Sequence, residues 1–137
     1  MTRTTLEEAS ASMSPIIRIG DQLTLAANAP TAAPRGAVVA YLDGRRLIAH
    51  RLLGWRAGAL LLKGDANRDA DPPIEASRYC GEVVAVRRAN GRTLELTSRR
   101  WRVAGRLLAA VHAAPVSRRL RWLVTRAACH ALGRWLR

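Results

Sequence analysis

A serine can attack a peptide carbonyl only if a base removes its proton and donors hold the oxyanion that its attack creates. Three stretches of this chain could supply those parts. The first is "SASMSPIIRIGD", residues 10–21, in which Ser12 stands between Ser10 and Pro15. The second is "LIAHRLL", residues 47–53, whose His50 has an unperturbed pKa of about 6.5 and can accept a proton at neutral pH. The third is "KGDANRDAD", residues 63–71, where Asp65, Asp69 or Asp71 could orient an imidazole. Taken singly, Ser12 reads as a turn serine, His50 as a satisfied strand histidine and the acids as a solvated loop. Only their joint occurrence points to nucleophilic catalysis.

The elements that must position them read as short strands. "QLTLAA" alternates, and "GAVVAYL" runs through Asp43-Gly44 into "RRLIAHRLLGW" as a hairpin. Ala57-Gly58 turns the chain into "ALLLKGD", and the Pro72-Pro73 segment over residues 66–79 is expected to be a loop. "CGEVVAVRR" and "RTLELTS" form a further hairpin around Asn90-Gly91. About six strands therefore make a small, mostly β domain ending near Ser98. His50 should share a strand face with Ile48 and Leu52.

These stretches, in this order, resemble the boxes of the type I signal peptidases. "SASMSPIIRIGD" resembles that family's Ser-x-Ser-Met-x-Pro nucleophile box, which ends in Gly-Asp, and "GAVVAY" resembles the box that follows. "IAHRLL" resembles the His-Arg-Val box of the endoplasmic-reticulum and archaeal branch, where histidine stands in place of the bacterial lysine. "LLLKGDANRDAD" resembles that branch's Lys-Gly-Asp-Asn stretch with its downstream aspartate. The resemblance spans residues 10–84. It implies a coiled β-sheet fold of the signal peptidase and LexA-like kind, with Ser12 as nucleophile, His50 as general base, Asp71 as the orienting acid and Asp65 as a second, supporting carboxylate.

The same resemblance assigns the oxyanion to the Ser10 hydroxyl and the Ser12 N–H, and a place in the substrate pocket to Met13, a residue type that otherwise fills cores. Lys63 is the rival base, because a serine-lysine dyad serves the bacterial enzymes and the LexA-like self-cleaving repressors, and burial can lower an amine toward neutrality. Its place in "KGDAN" matches the branch's non-catalytic lysine, which favours His50. Two departures stand out: Ser10 replaces the glycine of the histidine branch, and no apolar anchor precedes the serine. The implied activity is a serine endopeptidase that cuts an extended leader or precursor peptide after small residues. The alternative is a non-catalytic or self-cleaving relative that works through its basic tail as a membrane- or nucleic-acid-binding module.

Charge divides the chain at the same boundary. Residues 1–98 hold all ten acids against thirteen basic residues, whereas residues 99–137 hold ten arginines and no acid. The net charge of +13 thus belongs mainly to the tail and draws it to an anionic surface. There, Leu120, Leu123, Val124, Ala127, Ala131, Leu132, Trp135 and Leu136 repeat at helical spacing, after a shorter helix over about 99–113 and a break at Pro115, with Ser117 as N-cap. This basic extension either packs its apolar face on the β domain or lies in a membrane interface, and the second is favoured. No motif supports nucleic acid beyond charge.

Cys80 and Cys129 fit free thiols in a reducing compartment, and no Cys/His spacing calls for a metal or other cofactor. His112 and His130 lack ligand partners. Without a secretory signal or a membrane span, the expected location is the cytoplasm or the inner face of its membrane.

Overall fold

The computed structural model describes residues 2–135. Eight strands, β1 (Arg3–Glu7), β2 (Gln22–Ala26), β3 (Val38–Asp43), β4 (Arg46–Arg56), β5 (Ala59–Lys63), β6 (Ile74–Glu75), β7 (Tyr79–Arg87) and β8 (Thr93–Glu95), are followed by helices α1 (Arg99–His112) and α2 (Arg118–Trp135). The strands form one antiparallel sheet in the order β1-β2-β7-β3-β4-β5-β6, with β8 added to β7. Two strands exceed the sequence expectation. β1 carries one half-buried leucine among four exposed residues, and β6 is a two-residue pairing inside the proline-rich loop.

Turn chemistry fixes the registers. The β3–β4 hairpin closes on Gly44-Arg45, with Gly44 at φ +61° and Asp43 paired to Arg46, one position beyond the Asp-Gly centre expected from sequence. That register sets Val39 opposite His50 and Tyr41 opposite Ile48. Alternation then sorts β3 between two cores. Val38 and Ala40 join Met13, Ile16, Ile17, Leu23, Leu25, Val83 and Leu108, whereas Val39 and Tyr41 join Leu52, Leu60, Leu62 and Ile74.

Both helices belong to this packing. Ser98 caps α1 by accepting from the Trp101 N–H, and Ser117 caps α2 by accepting from the Leu120 N–H. α1 buries Ala104, Gly105, Leu108, Ala109 and His112, so closely that Gly105 and Gly36 meet backbone to backbone; a Cβ on Gly105 would lie 2.5 Å from the Gly36 oxygen. α2 seats fully buried Cys129 in the first core, with Ala128 and Leu132 against it.

Apart from Leu132, the described stripe of α2 that the sequence marks as apolar is not the packed one. Leu120, Leu123, Val124, Ala127 and Ala131 are exposed, and the inward face is built on Trp122, Thr125, Cys129 and Leu132. Leu136 and the side chain of Trp135 lie outside the described residues. No described helix is long and apolar enough to cross a membrane.

Candidate active site

Ser12 follows β1 in a turn held by one side-chain and one backbone hydrogen bond. The Ser10 N–H donates to Glu8 Oε1 at 2.8 Å, and the Ser14 N–H donates to the Ala11 carbonyl at 3.0 Å. His50 projects from the middle of β4, with only 5 % of its surface exposed, and its Nε2 lies 3.1 Å from Ser12 Oγ. Asp71 arrives from the far end of the 64–73 loop. Its N–H donates to the Leu62 carbonyl at 2.8 Å, and its Oδ2 lies 2.5 Å from His50 Nδ1. With Asp71 accepting at Nδ1–H, the proton sits on Nδ1, and the Nε2 lone pair faces the serine hydroxyl.

Tyr41 completes the acid's surroundings. Its hydroxyl donates to the same Asp71 oxygen at 3.1 Å, and its ring meets the imidazole edge-on at 6.2 Å between centroids. Burial and the adjacent carboxylate hold the Tyr41 phenol well above its ordinary value, so it is a neutral donor. Sequence reasoning missed this residue because a tyrosine in a strand has an ordinary packing explanation. The hairpin register carries the signal: Tyr41 is two residues from Val39, the partner of His50, and so shares its sheet face.

Ser10 stands beside the serine: its Oγ lies 3.0 Å from Ser12 Oγ and accepts from the Ser12 N–H at 3.4 Å. Met13 does not line the site. It is fully buried in the core, and its Sδ accepts from the Asp65 N–H at 3.4 Å, so the pocket role expected for it is replaced by a packing role. Fixing the turn from below suits its type.

Asp65 belongs to a different constellation. Arg51 grips it with two bonds, Nε to Oδ1 at 2.7 Å and Nη2 to Oδ2 at 2.6 Å, and spends Nη1 on the Gly36 carbonyl at 2.7 Å. His112 Nε2 lies 3.0 Å from Asp65 Oδ1, and Lys63 Nζ lies 2.7 Å from His112 Nδ1. Lys63 has donors only, so His112 accepts at Nδ1 and donates from Nε2: it is the neutral tautomer. Burial lowers the His112 pKa against the pull of Asp65, in keeping with that tautomer. Burial alone would raise Asp65, but the Arg51 charge and its bonds, with His112, outweigh this and hold the carboxyl well below the usual range. Burial likewise lowers Lys63.

The rival base is therefore engaged away from the nucleophile, and the supporting acid does not touch His50. What the Lys63–Asn67 stretch supplies is a floor. The Ala66 N–H donates to the Ser12 carbonyl at 2.8 Å, and a Cβ on Gly64 would lie 2.8 Å from that oxygen and 2.6 Å from the Asn67 side chain. Only glycine lets the two segments approach so closely. α2 braces the same loop from outside, where the Trp122 Nε1–H donates to the Ala66 carbonyl at 3.3 Å and Arg118 pairs with Asp69 at 3.2 Å.

A groove of about 490 Å³ opens beside Ser12 and His50, with Leu6, Leu23, Leu25, Ala40, Ile48 and Ala49 among its walls. Two strand edges border it. Among the described residues β1 pairs only with β2, and β5 joins β4 only from Arg51 onward, which leaves residues 46–50 without a strand partner on that edge. Compared with protein-family models, curated proteins and solved structures, the chain matches none.

Proposed function

We propose that this chain is a serine endopeptidase of the signal peptidase kind, with Ser12 as nucleophile, His50 as general base and Asp71 as its orienting acid. One observation carries the reading: Ser12 Oγ, His50 Nε2, His50 Nδ1 and Asp71 Oδ2 form a continuous chain of contacts of 3.1 and 2.5 Å. Three separate elements converge to make it, in the arrangement that acyl transfer requires. The coiled β-sheet fold of that family is compatible with the antiparallel sheet, and the His50 branch of it with the residues at hand.

In the proposed reaction Ser12 Oγ bonds to the scissile carbonyl carbon as its proton passes to His50 Nε2. The carbonyl π electrons move onto oxygen, to which the Ser10 hydroxyl donates, joined by the Ser12 N–H as it leaves Ser10 Oγ. Asp71 steadies the imidazolium, and Tyr41 keeps that carboxylate in place. When the C–N bond breaks, the Nε2 proton goes to the leaving amine. Water, deprotonated by His50, then attacks the acyl-serine and releases the carboxylic product with Ser12 restored.

An extended peptide suits the two open edges, whose N–H and C=O groups can pair with it as an added strand. The apolar walls suit apolar side chains beside the cut, and the resemblance narrows them to small ones. The half-buried and buried free thiols, Cys80 and Cys129, support placing the protein in the cytoplasm.

The test is mass spectrometry of a peptide library incubated with wild-type protein, Ser12→Ala and His50→Ala. The expected result is a set of cuts made by wild type and reduced by about 10⁴-fold or more in both variants. Cutting that persists in Ser12→Ala, or none by wild type, would remove the peptidase reading. Self-cleavage would show as a shortened mass of the wild-type chain itself.

A further inference from the structure

The outward faces of the two helices combine features that packing does not explain. Val103 and Leu107 on α1 are 50 and 56 % exposed, and Leu120, Leu123 and Val124 on α2 are 48, 48 and 43 % exposed. On α2 they fall at steps of three and four residues and continue through exposed Ala127 and Ala131 into one stripe. Exposed Arg119, Arg126, His130 and Arg134 follow the same spacing along one flank of that stripe. α2 is already anchored on its opposite face through Trp122, Thr125, Cys129 and Leu132, so the stripe is not a core face awaiting closure.

From these observations we infer that the outward face of α2, with that of α1, docks on an anionic lipid surface. Leucine and valine enter the boundary between headgroups and acyl chains, and the arginines meet lipid phosphates and carboxylates. Charge selects this occupant. A second copy would set one arginine-rich, acid-free face against another, which like-charge repulsion opposes. Nucleic acid would satisfy the arginines and leave a row of leucines against a hydrated backbone. A lipid surface alone satisfies both halves of the stripe. The inference is independent of the peptidase reading, because none of its residues contacts Ser12, His50 or Asp71.

Flotation of the full chain with vesicles tests it. We expect binding to phosphatidylcholine vesicles containing roughly 30 % phosphatidylserine, none to phosphatidylcholine alone, and loss of binding as salt is raised. Leu123→Asp with Val124→Asp should weaken binding by about tenfold or more, and Arg119→Gln with Arg134→Gln by a similar factor. Both pairs are exposed, so circular dichroism and melting should match wild type. Val103→Asp with Leu107→Asp, on the other helix, provides a second apolar variant should the first fail to fold. Binding that survives the aspartate variants would reduce the effect to loose charge attraction and overturn the docking. So would equal binding to neutral vesicles, or no vesicle binding in a chain that captures an acidic protein.

Discussion

Asp65 and Asp71 lie six residues apart in one loop and carry the same functional group, yet their surroundings give them opposite tasks. Asp71 is partly open and touches His50 and Tyr41; Asp65 is closed off and neutralised by Arg51. Asp71→Asn should therefore lower kcat/KM on a cleavable peptide by about 10³–10⁴-fold with little change in melting temperature. Asp65→Asn should do the reverse and destabilise the fold by about 3–5 kcal/mol, because it leaves the Arg51 guanidinium buried without its counter-charge. Peptide kinetics and denaturant unfolding on the two variants separate these outcomes. Equal loss of activity in folded Asp65→Asn protein would refute the division. The residue types alone make Ser12 and His50 candidates and leave Asp65, Asp69 and Asp71 open; the order of the boxes in the resemblance singles out Asp71, the one carboxylate of the three that meets His50. It left the roles of Asp65 and Met13 illegible, since a carboxylate or thioether is assigned by what surrounds it.

At the scale of elements, α1 is held by a contact too close for any side chain. Gly105→Val should cost more than the roughly 1–3 kcal/mol usual for overpacking, because the atom it meets is the Gly36 backbone oxygen. Gly133→Ala on α2, where an added Cβ meets nothing within 4 Å, should be neutral or stabilise by up to about 1 kcal/mol. Urea midpoints of the two variants read this contrast. Two turns beyond Gly105, the same helix carries His112 into the Lys63–Asp65–Arg51 cluster. Burial lowers its folded pKa below 6.5, with Asp65 opposing and Lys63 and Arg51 reinforcing. Below about pH 6.5 the unfolded chain takes up a proton that folded His112 refuses, so stability falls as pH drops from there toward the folded value. The melting temperature should decline as the pH is lowered through about 6.5. In His112→Gln the His112 share of that slope should vanish. Sequence periodicity located both helices well but gave no sign of the inner face of α2. An inward face of Trp122, Thr125 and Cys129 scores poorly on apolar spacing, whereas the leucines and valine of the exposed stripe score well.

For the whole molecule, the boundary that charge and composition draw at Ser98 separates sequence classes rather than folding units. Leu108 and Cys129 lie in the same core as Met13, Val38 and Val83, and His112 satisfies Lys63 and Asp65. A chain ending at Ser98 would expose that core and strip two buried charges of a partner. It should be unfolded or aggregated by circular dichroism and gel filtration, with no peptide cleavage. A cooperatively melting, active 1–98 fragment would show the helices to be dispensable. The arrangement suits a protein in which a helix that reads as a membrane-directed appendage also braces the loop that carries Asp71.

Cys129 offers a clock for that coupling. Its thiol is fully buried, and burial with the nearby Asp65 pushes its pKa up to about 12, so alkylating reagents meet neither an exposed sulfur nor a thiolate while α2 is seated. Reaction has to wait for the helix to lift. The rate of Cys129 modification thus counts how often the second helix leaves the sheet, one opening at a time, and its dependence on reagent concentration separates the frequency of opening from the fraction of time spent open.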